Sequence, residues 1–430
     1  MNISIPPKTP TFVALRYRNF RLLWVGQFVS VIGSMMQTAT ILWHVSLLVP
    51  EHSKGLALGM VGLVRVVPIV VFSMTAGVVA DVFDRRKMMM LTQLALTLVA
   101  VVLAVVTAHG LSVTWPIYLL AALSSAAAAF DAPARQSLIP SLVPREHLAN
   151  AISVNTIMFQ TASVLGPSLA GLVIGSLGVG TAYALNAVSY LAVIAALLLM
   201  RDVPQPGASE GRSDVSFAAA LDGLRFVFRS PLIRSAMLLD FFATFFASAS
   251  ALLPIFAQDI LQVGAAGYGW LYAAPSLGAV IASMVMVKLS DRIEKRGQVV
   301  LWSVAGYGLA TVAFGHSRSF WLTFACLAAT GATDTIAMIL RNTIRQLATP
   351  DHLRGRMTSI SMVFFMGGPQ LGELEAGLVA NWMGAPIAVI TGGIGCLIAA
   401  VWTAATTPAL RNYTAENAPL VGAASAAAKE

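Results

Sequence analysis

Gly77-Val-Val-Ala-Asp81-Val-Phe-Asp84-Arg85-Arg86-Lys87 is a charged turn set between two long apolar stretches. A second turn, Ser290-Asp291-Arg292-Ile-Glu294-Lys295-Arg296-Gly297, occupies a similar place later in the chain. Asp81 and Asp291 stand 210 positions apart. The same offset separates Arg86 from Arg296, Arg135 from Arg345, Gln136 from Gln346, Pro140 from Pro350 and Gln160 from Gln370. Shared across comparable boundaries, one gapless offset argues for an internal repeat. Such repeats are the sequence trace of membrane carriers whose halves rock about a site between them.

Composition places both copies in a bilayer. The 430 residues are 57% hydrophobic and only 11% charged, against roughly 25% charged in soluble domains. Twelve apolar stretches approach the ~20 residues a spanning helix needs. They lie at 20–48, 57–80, 88–108, 115–138, 148–176, 180–200, 232–258, 265–290, 298–315, 320–346, 357–381 and 385–407. The fold class expected is therefore an all-α membrane protein, with one six-helix half over 1–200 and another over 230–410.

Charge fixes the expected orientation. The net charge is +8, but the basic residues gather in every second loop, a pattern that reports topology and not nucleic-acid binding. Of the 27 Lys and Arg residues, only Lys54 and Arg318 fall in the other set of loops, and Arg65 lies inside the second span. Basic loops stay cytoplasmic. Both termini are thus expected inside a bacterial cytoplasmic membrane. No cleavable signal is expected, because the first nineteen residues are polar and the apolar run after them is too long.

Residues 201–229 connect the halves. Their first part is polar and Pro/Gly-containing, a flexible linker. Their second part sets Phe217, Leu221, Leu224 and Phe228 on one helical face and Asp222, Arg225 and Arg229 on the other. That pattern predicts a helix lying on the membrane surface. The Ala-rich tail 411–430 is expected to be disordered.

Enzymatic chemistry finds no support. There is no Gly-rich phosphate loop, HExxH or nucleophile–base cluster, and the loops are too short for a catalytic domain. Cys326 and Cys396 sit in separate apolar spans without metal spacing. No cofactor or metal is expected, and the chain is expected to act as a monomer.

Twelve spans, a doubled half and the repeated charged turn resemble the major facilitator superfamily. Its signature Gly-x-x-x-Asp-Arg-x-Gly-Arg-Arg is matched by Gly77, Asp81, Arg85 and Arg86, with Val82 and Asp84 departing from it. The second copy keeps Asp291, Arg292, Lys295 and Arg296, with Val287 in place of the glycine. Phe130-Asp131-Ala-Pro-Ala-Arg135-Gln136, Gly166-Pro-Ser-Leu-Ala-Gly171 and Asn186-Ala-Val-Ser resemble the branch of enterobactin exporters and macrolide efflux proteins.

The resemblance implies alternating access and a small-molecule substrate. It also implies a cytoplasmic gate, in which Asp81 faces the start of the eleventh span and Arg85 or Arg86 pairs with Asp131. Arg135 accompanies that pair, while Asp291, Arg292, Arg296 and Arg345 form a second latch. Proton-coupled drug exporters of the superfamily often carry an arginine midway along the fourth span, and none stands there in this chain. The Gly166-Pro167 pair in the fifth span, associated with antiporters, restores the case for proton exchange.

Ionisable groups inside the spans are the remaining signal, since each costs about 2.5–3.5 kcal/mol at the bilayer centre on the insertion scale. They are Arg65, Asp240, Asp334, Arg341, Glu373 and Glu375. Positions two apart on a helix point in different directions, so Glu373 and Glu375 cannot share a cavity. Gln370 and Glu373 share a face, and their repeat counterparts Gln160 and Ser163 are also polar. Glu373 is therefore the first candidate to carry a proton, against simple pairing with a cation or backbone amide. Asp240 is the second, against a place at a wet mouth. Arg65 would bind an anionic substrate or neutralise an acidic partner. Gln37, Asn155, Asn186, Gln160, Ser163, Asp334 and Gln370 are cavity candidates that could equally join helices by hydrogen bonds.

The reading is a proton-coupled exporter of a small amphipathic molecule such as a drug or siderophore. The alternatives are an importer or facilitator, or a membrane sensor that keeps the fold without transport.

Overall fold

Apolar segments in a bilayer have no water to satisfy their backbone, so they form helices. The computed structural model describes residues 12–201, 230–248, 250–349 and 354–414. The linker with its amphipathic face, the tail beyond residue 414 and the side chains of Asp81 and Asp291 lie outside the described residues.

Among the described residues are twelve helices of sixteen residues or more: α1 (Arg18–Leu48), α2 (Lys54–Val82), α3 (Arg85–Ala108), α4 (Trp115–Leu142), α5 (Leu148–Leu177), α6 (Val179–Leu199), α7 (Pro231–Phe246), α8 (Gly264–Leu289), α9 (Arg296–His316), α10 (Phe320–Ala348), α11 (Arg354–Met383) and α12 (Ala385–Thr406). Eleven spans that include every helix but α11 are long and apolar enough to cross a membrane, α7 counting together with the turns that follow it. The elements follow the 210-residue offset, α1–α6 matching α7–α12.

Local chemistry explains two boundaries. Asp84, which stands where the superfamily signature has glycine, caps α3: its carboxylate accepts the backbone N–H of Arg86 at 2.9 Å and of Lys87 at 3.2 Å. That capping supplies acceptors to two orphan N–H groups of the first turn. The seventh span, expected to be one continuous helix, is broken. After Phe246 it continues as a short 3-10 turn, Ser250–Leu252, then Leu253–Ile255 and a π-helical turn, Phe256–Ile260. Ser248 and Ser250 flank the break, and serine side chains compete for backbone hydrogen bonds.

The halves meet along two helix pairs, α2 with α11 and α5 with α8. Both crossings are backbone to backbone. A Cβ placed on Gly377 would come 2.7 Å from the Cα of Gly59, and one on Gly171 would come 2.8 Å from the Cα of Gly269. Gly59 and Gly269 are themselves related by the 210-residue offset. Without side chains, the helices approach as closely as small-residue contacts in membranes allow.

The two ends of the bundle differ. At the end where the described chain begins, at Phe12, and ends, at Thr414, each half has a core of its own: Phe20, Met89, Leu138 and Leu197 belong to one, Ile233, Val300, Leu340 and Tyr413 to the other. At the opposite end, buried clusters mix the halves, joining Met36, Trp43 and Ile174 to Leu253, Phe256 and Tyr268. Among the described residues the shared apolar core therefore lies at the end away from the termini.

Candidate functional site

A polar cavity of about 270 Å³ opens within the first half. Its wall is built by α1, α2, α3, α4, α5 and α6, with Gln37, Arg65, Gln93, Asp131, Arg135 and Tyr190 as its polar residues of greatest consequence. Several are fixed by neighbours. Asn186, fully buried on α6, donates to Gln37 Oε1 at 2.7 Å. Ser34 donates to Tyr190 Oη at 3.1 Å. Asp131 accepts from Thr92 and Gln93, each at 2.9 Å, and Arg135 lies 4.0 Å away. The Arg135 guanidinium sits over the Phe159 ring, 4.9 Å from its centroid.

Two polar atoms in this wall, Gln93 Oε1 and Ser124 Oγ, are buried without a hydrogen-bond partner among the described residues. Arg65 forms no ion pair within 4.0 Å among them. A guanidinium left that way in an apolar span demands a counter-charge from elsewhere.

Glu373 supplies the opposite charge from across the interface. It is 7% exposed on α11, and its Oε2 has no hydrogen-bond partner among the described residues. A Cβ on Gly62 would come 3.0 Å from that oxygen, so the carboxylate occupies the space a larger α2 residue would fill. Arg65 is the charge that acts on it electrostatically, and Tyr272 of α8 interacts with both. Gln370, one turn before Glu373, also has an unpartnered Oε1.

The second half holds a different cluster. Arg341, 7% exposed, forms an ion pair with Asp240 of α7 and lies 3.5 Å from Asp334 on its own helix. Two carboxylates on one guanidinium leave one negative charge. Asp334 lines a smaller cavity of about 110 Å³, with Ser250, Tyr307, Thr311 and Thr330 among its walls.

The remaining sequence candidates divide. Asn155, Gln160 and Ser163 are half-buried on α5, and Ser163 Oγ donates to its own helix at Gln160 O. Arg85 donates to Ser137 O at 2.9 Å and Arg86 to Leu198 O at 3.5 Å, so neither is paired with Asp131 in this state. Arg345 donates to Asn342 of its own helix, Arg292 is exposed, and Arg296 Nε is buried without a partner among the described residues. Arg85, Arg86 and Arg345 are thus held within their own halves. Glu375 faces an apolar crevice beside Phe245, Leu374 and Trp382.

Sequence reasoning missed the contact that closes the far end. Lys54 Nζ is 2.9 Å from both carboxylate oxygens of Asp259 and 3.3 Å from Gln258 Oε1. Gln258 in turn donates to Ser46 Oγ at 2.7 Å, and Tyr268 donates to Ala39 O at 2.8 Å. Lys54 was visible as one of two basic residues outside the basic loops; its partner, more than two hundred positions away, was not.

Residues 9–421 match the family model described as transmembrane secretion effector, which lies within the major facilitator superfamily. The chain belongs to this family. An enterobactin exporter of Escherichia coli O1:K1 is 27% identical over 405 residues, covering 93% of this chain and 92% of that protein. One from Salmonella choleraesuis is 28% identical over 402 residues, covering 93% and 92%. Among solved structures, a mutant of the nucleoside transporter NupG superposes with a TM-score of 0.74 at 10% identity, covering 90% of this chain and 100% of that one. A bacterial homologue of the human lysosomal transporter Spinster, inward-facing and unoccupied, gives 0.65 at 14% identity, covering 95% and 97%. At these identities the structures show the fold alone. This secretion-effector family member is a multi-pass membrane transporter and not an enzyme.

Proposed function

We propose that this chain exports a small amphipathic molecule across a bacterial cytoplasmic membrane in exchange for protons, with Glu373 as the carboxylate that carries the proton. The observation that carries the reading is Glu373 itself: buried at the α2–α11 crossing between the halves, with an oxygen left unpartnered among the described residues. A carboxylate there changes surroundings whenever the halves rock. It crosses the bilayer interior cheaply as the neutral acid and expensively as a bare anion.

Asp240 is less suited to that task, because the guanidinium of Arg341 already balances it. Both termini are taken as cytoplasmic, which makes the Lys54–Asp259 end periplasmic and the present state closed to the outside. Substrate binds the ionised Glu373 from the cytoplasm. After the halves rock, a proton arriving from outside displaces it, and the neutral acid returns. The likeness to enterobactin exporters supports the outward direction.

The test is transport in proteoliposomes. Glu373→Gln keeps the shape and removes the titratable proton, so it should abolish efflux driven uphill by a pH gradient at any substrate concentration, while downhill exchange persists once substrate is raised to offset the weaker binding. Glu375→Gln should change little. If Glu373→Gln pumps uphill like wild type, the coupling assignment fails.

A further inference from the structure

Arg65 and Glu373 are opposite charges on the two helices that join the halves at the centre of the molecule. They interact, yet no nitrogen–oxygen distance between them falls within the 4.0 Å of an ion pair. Each also lacks another charged partner among the described residues. Most other charges of the spans have a charged partner: Arg341 has Asp240 and Asp334, Lys54 has Asp259, and Asp131 has Arg135, while Glu375, on the apolar crevice, forms no ion pair among the described residues. An unmatched pair of opposite sign, held apart, is a receptor for a molecule with both signs.

We propose that the transported molecule is a small amphipathic zwitterion, its anionic group held by Arg65 and its ammonium by Glu373. This rests on the reading of Glu373 as the coupling carboxylate, and it names the substrate class that this reading leaves open. The cavity at Arg65, whose wall does not include Glu373, is about 270 Å³, just under the ~300–1,000 Å³ of pockets for drug-sized ligands, which suits a body of about one ring with its ammonium extending beyond the cavity towards α11. Val31, Met35, Ile41 and Leu96 give that body an apolar wall, and a guanidinium binds a carboxylate in bidentate fashion.

The sign of coupling agrees. An anion alone would compete with ionised Glu373 for Arg65 and drive the carboxyl to take up a proton, so substrate and proton would travel together. An ammonium competes with the proton for Glu373, and the two travel in opposite directions. The charged and titratable groups that act on Glu373 here are Arg65 on α2 and Tyr268 and Tyr272 on α8.

The test uses the full chain in lipid nanodiscs and three probes of one shape: para-(aminomethyl)benzoate, benzoate and benzylamine. The zwitterion should bind at least tenfold more tightly than either singly charged probe. Arg65→Gln should reduce its affinity to that of benzylamine, and Glu373→Gln to that of benzoate, while Arg65→Lys retains part of the advantage. Variants are compared only when their thermal unfolding matches wild type; where Arg65→Gln fails this, Arg65→Lys and Glu373→Gln decide. Benzoate binding as tightly as the zwitterion, advantage retained in the variants, or no binding by any probe overturns the proposal. If the advantage is missing while Glu373→Gln still abolishes pH-driven efflux, the zwitterion fails and the coupling reading stands. The reverse pattern overturns the coupling reading alone.

Discussion

With the termini cytoplasmic, as proposed above, neutralising Asp259 should release the outer end of the molecule. The Lys54 side chain is 9% exposed and that of Asp259 31% exposed, so the pair lies between two limits. Exposed ion pairs contribute about 0–1 kcal/mol, and removing one partner of a fully buried pair costs about 3–5 kcal/mol. Partial screening at Asp259, and the bond Lys54 keeps to Gln258, place Asp259→Asn near the lower limit, at about 1.4 kcal/mol. That is roughly a tenfold shift in the ratio of outer-closed to outer-open molecules. Spin labels at Glu51 and Gln262, on the two outer loops, would report it as a second, longer distance by electron double resonance in nanodiscs. The charge exchange Lys54→Asp with Asp259→Lys should restore the wild-type distribution, which separates lost pairing from misfolding. An unchanged distribution in well-folded Asp259→Asn would refute the idea that this pair holds the gate.

Arg341→Gln should destabilise more than Asp334→Asn, because it leaves two carboxylates without their shared guanidinium; about 3 kcal/mol or more is expected for the first, read by chemical denaturation in detergent. Gly377→Val would drive its side chain into the Gly59 backbone, costing about 1–3 kcal/mol and slowing substrate exchange in proteoliposomes more than Gly175→Val, whose site is open to within 3.9 Å. Asp81→Asn and Asp291→Asn should lower turnover at unchanged membrane abundance, checked by initial efflux rates against immunoblot signal. Replacing residues 204–213 by a Gly/Ser stretch of equal length should leave those rates nearly intact.

The fold was legible because its evidence is local and repeated: apolar length, basic loops and two charged turns on one offset. Side-chain partnerships were less so. Asp84 read as a departure from a signature, and only the structure shows it capping α3. The break after Phe246 was hidden because Ala and Ser leave hydropathy high whether or not the helix continues. Glu373 could be found by the cost of its charge, but not its setting against Gly62. Asp240 and Arg341 were each visible as buried charges, yet no periodicity links residues a hundred positions apart, so their pairing was not. Arg85 and Arg86 illustrate a different limit. A carrier has several states, and a contact expected from one of them is absent from another.

The two glycine crossings lie far from the middle of the helices that make them. From Gly59 to the far end of α2 at Lys54 is five residues, a lever arm of roughly 8 Å; from Gly59 to Val82 is roughly 35 Å, at 1.5 Å per residue. Bare backbones pressed together cannot be compressed, so they act as a fulcrum, and this one is set off-centre. A tilt of ~10° about it would part the long arms by roughly 6 Å and the short arms by little more than 1 Å. The mechanical advantage is therefore unequal: a wide vestibule on the side of the termini and a narrow slit on the other. A narrow slit can be held shut by one lysine, one aspartate and a few buried aromatic side chains such as Trp43, Phe256 and Tyr268.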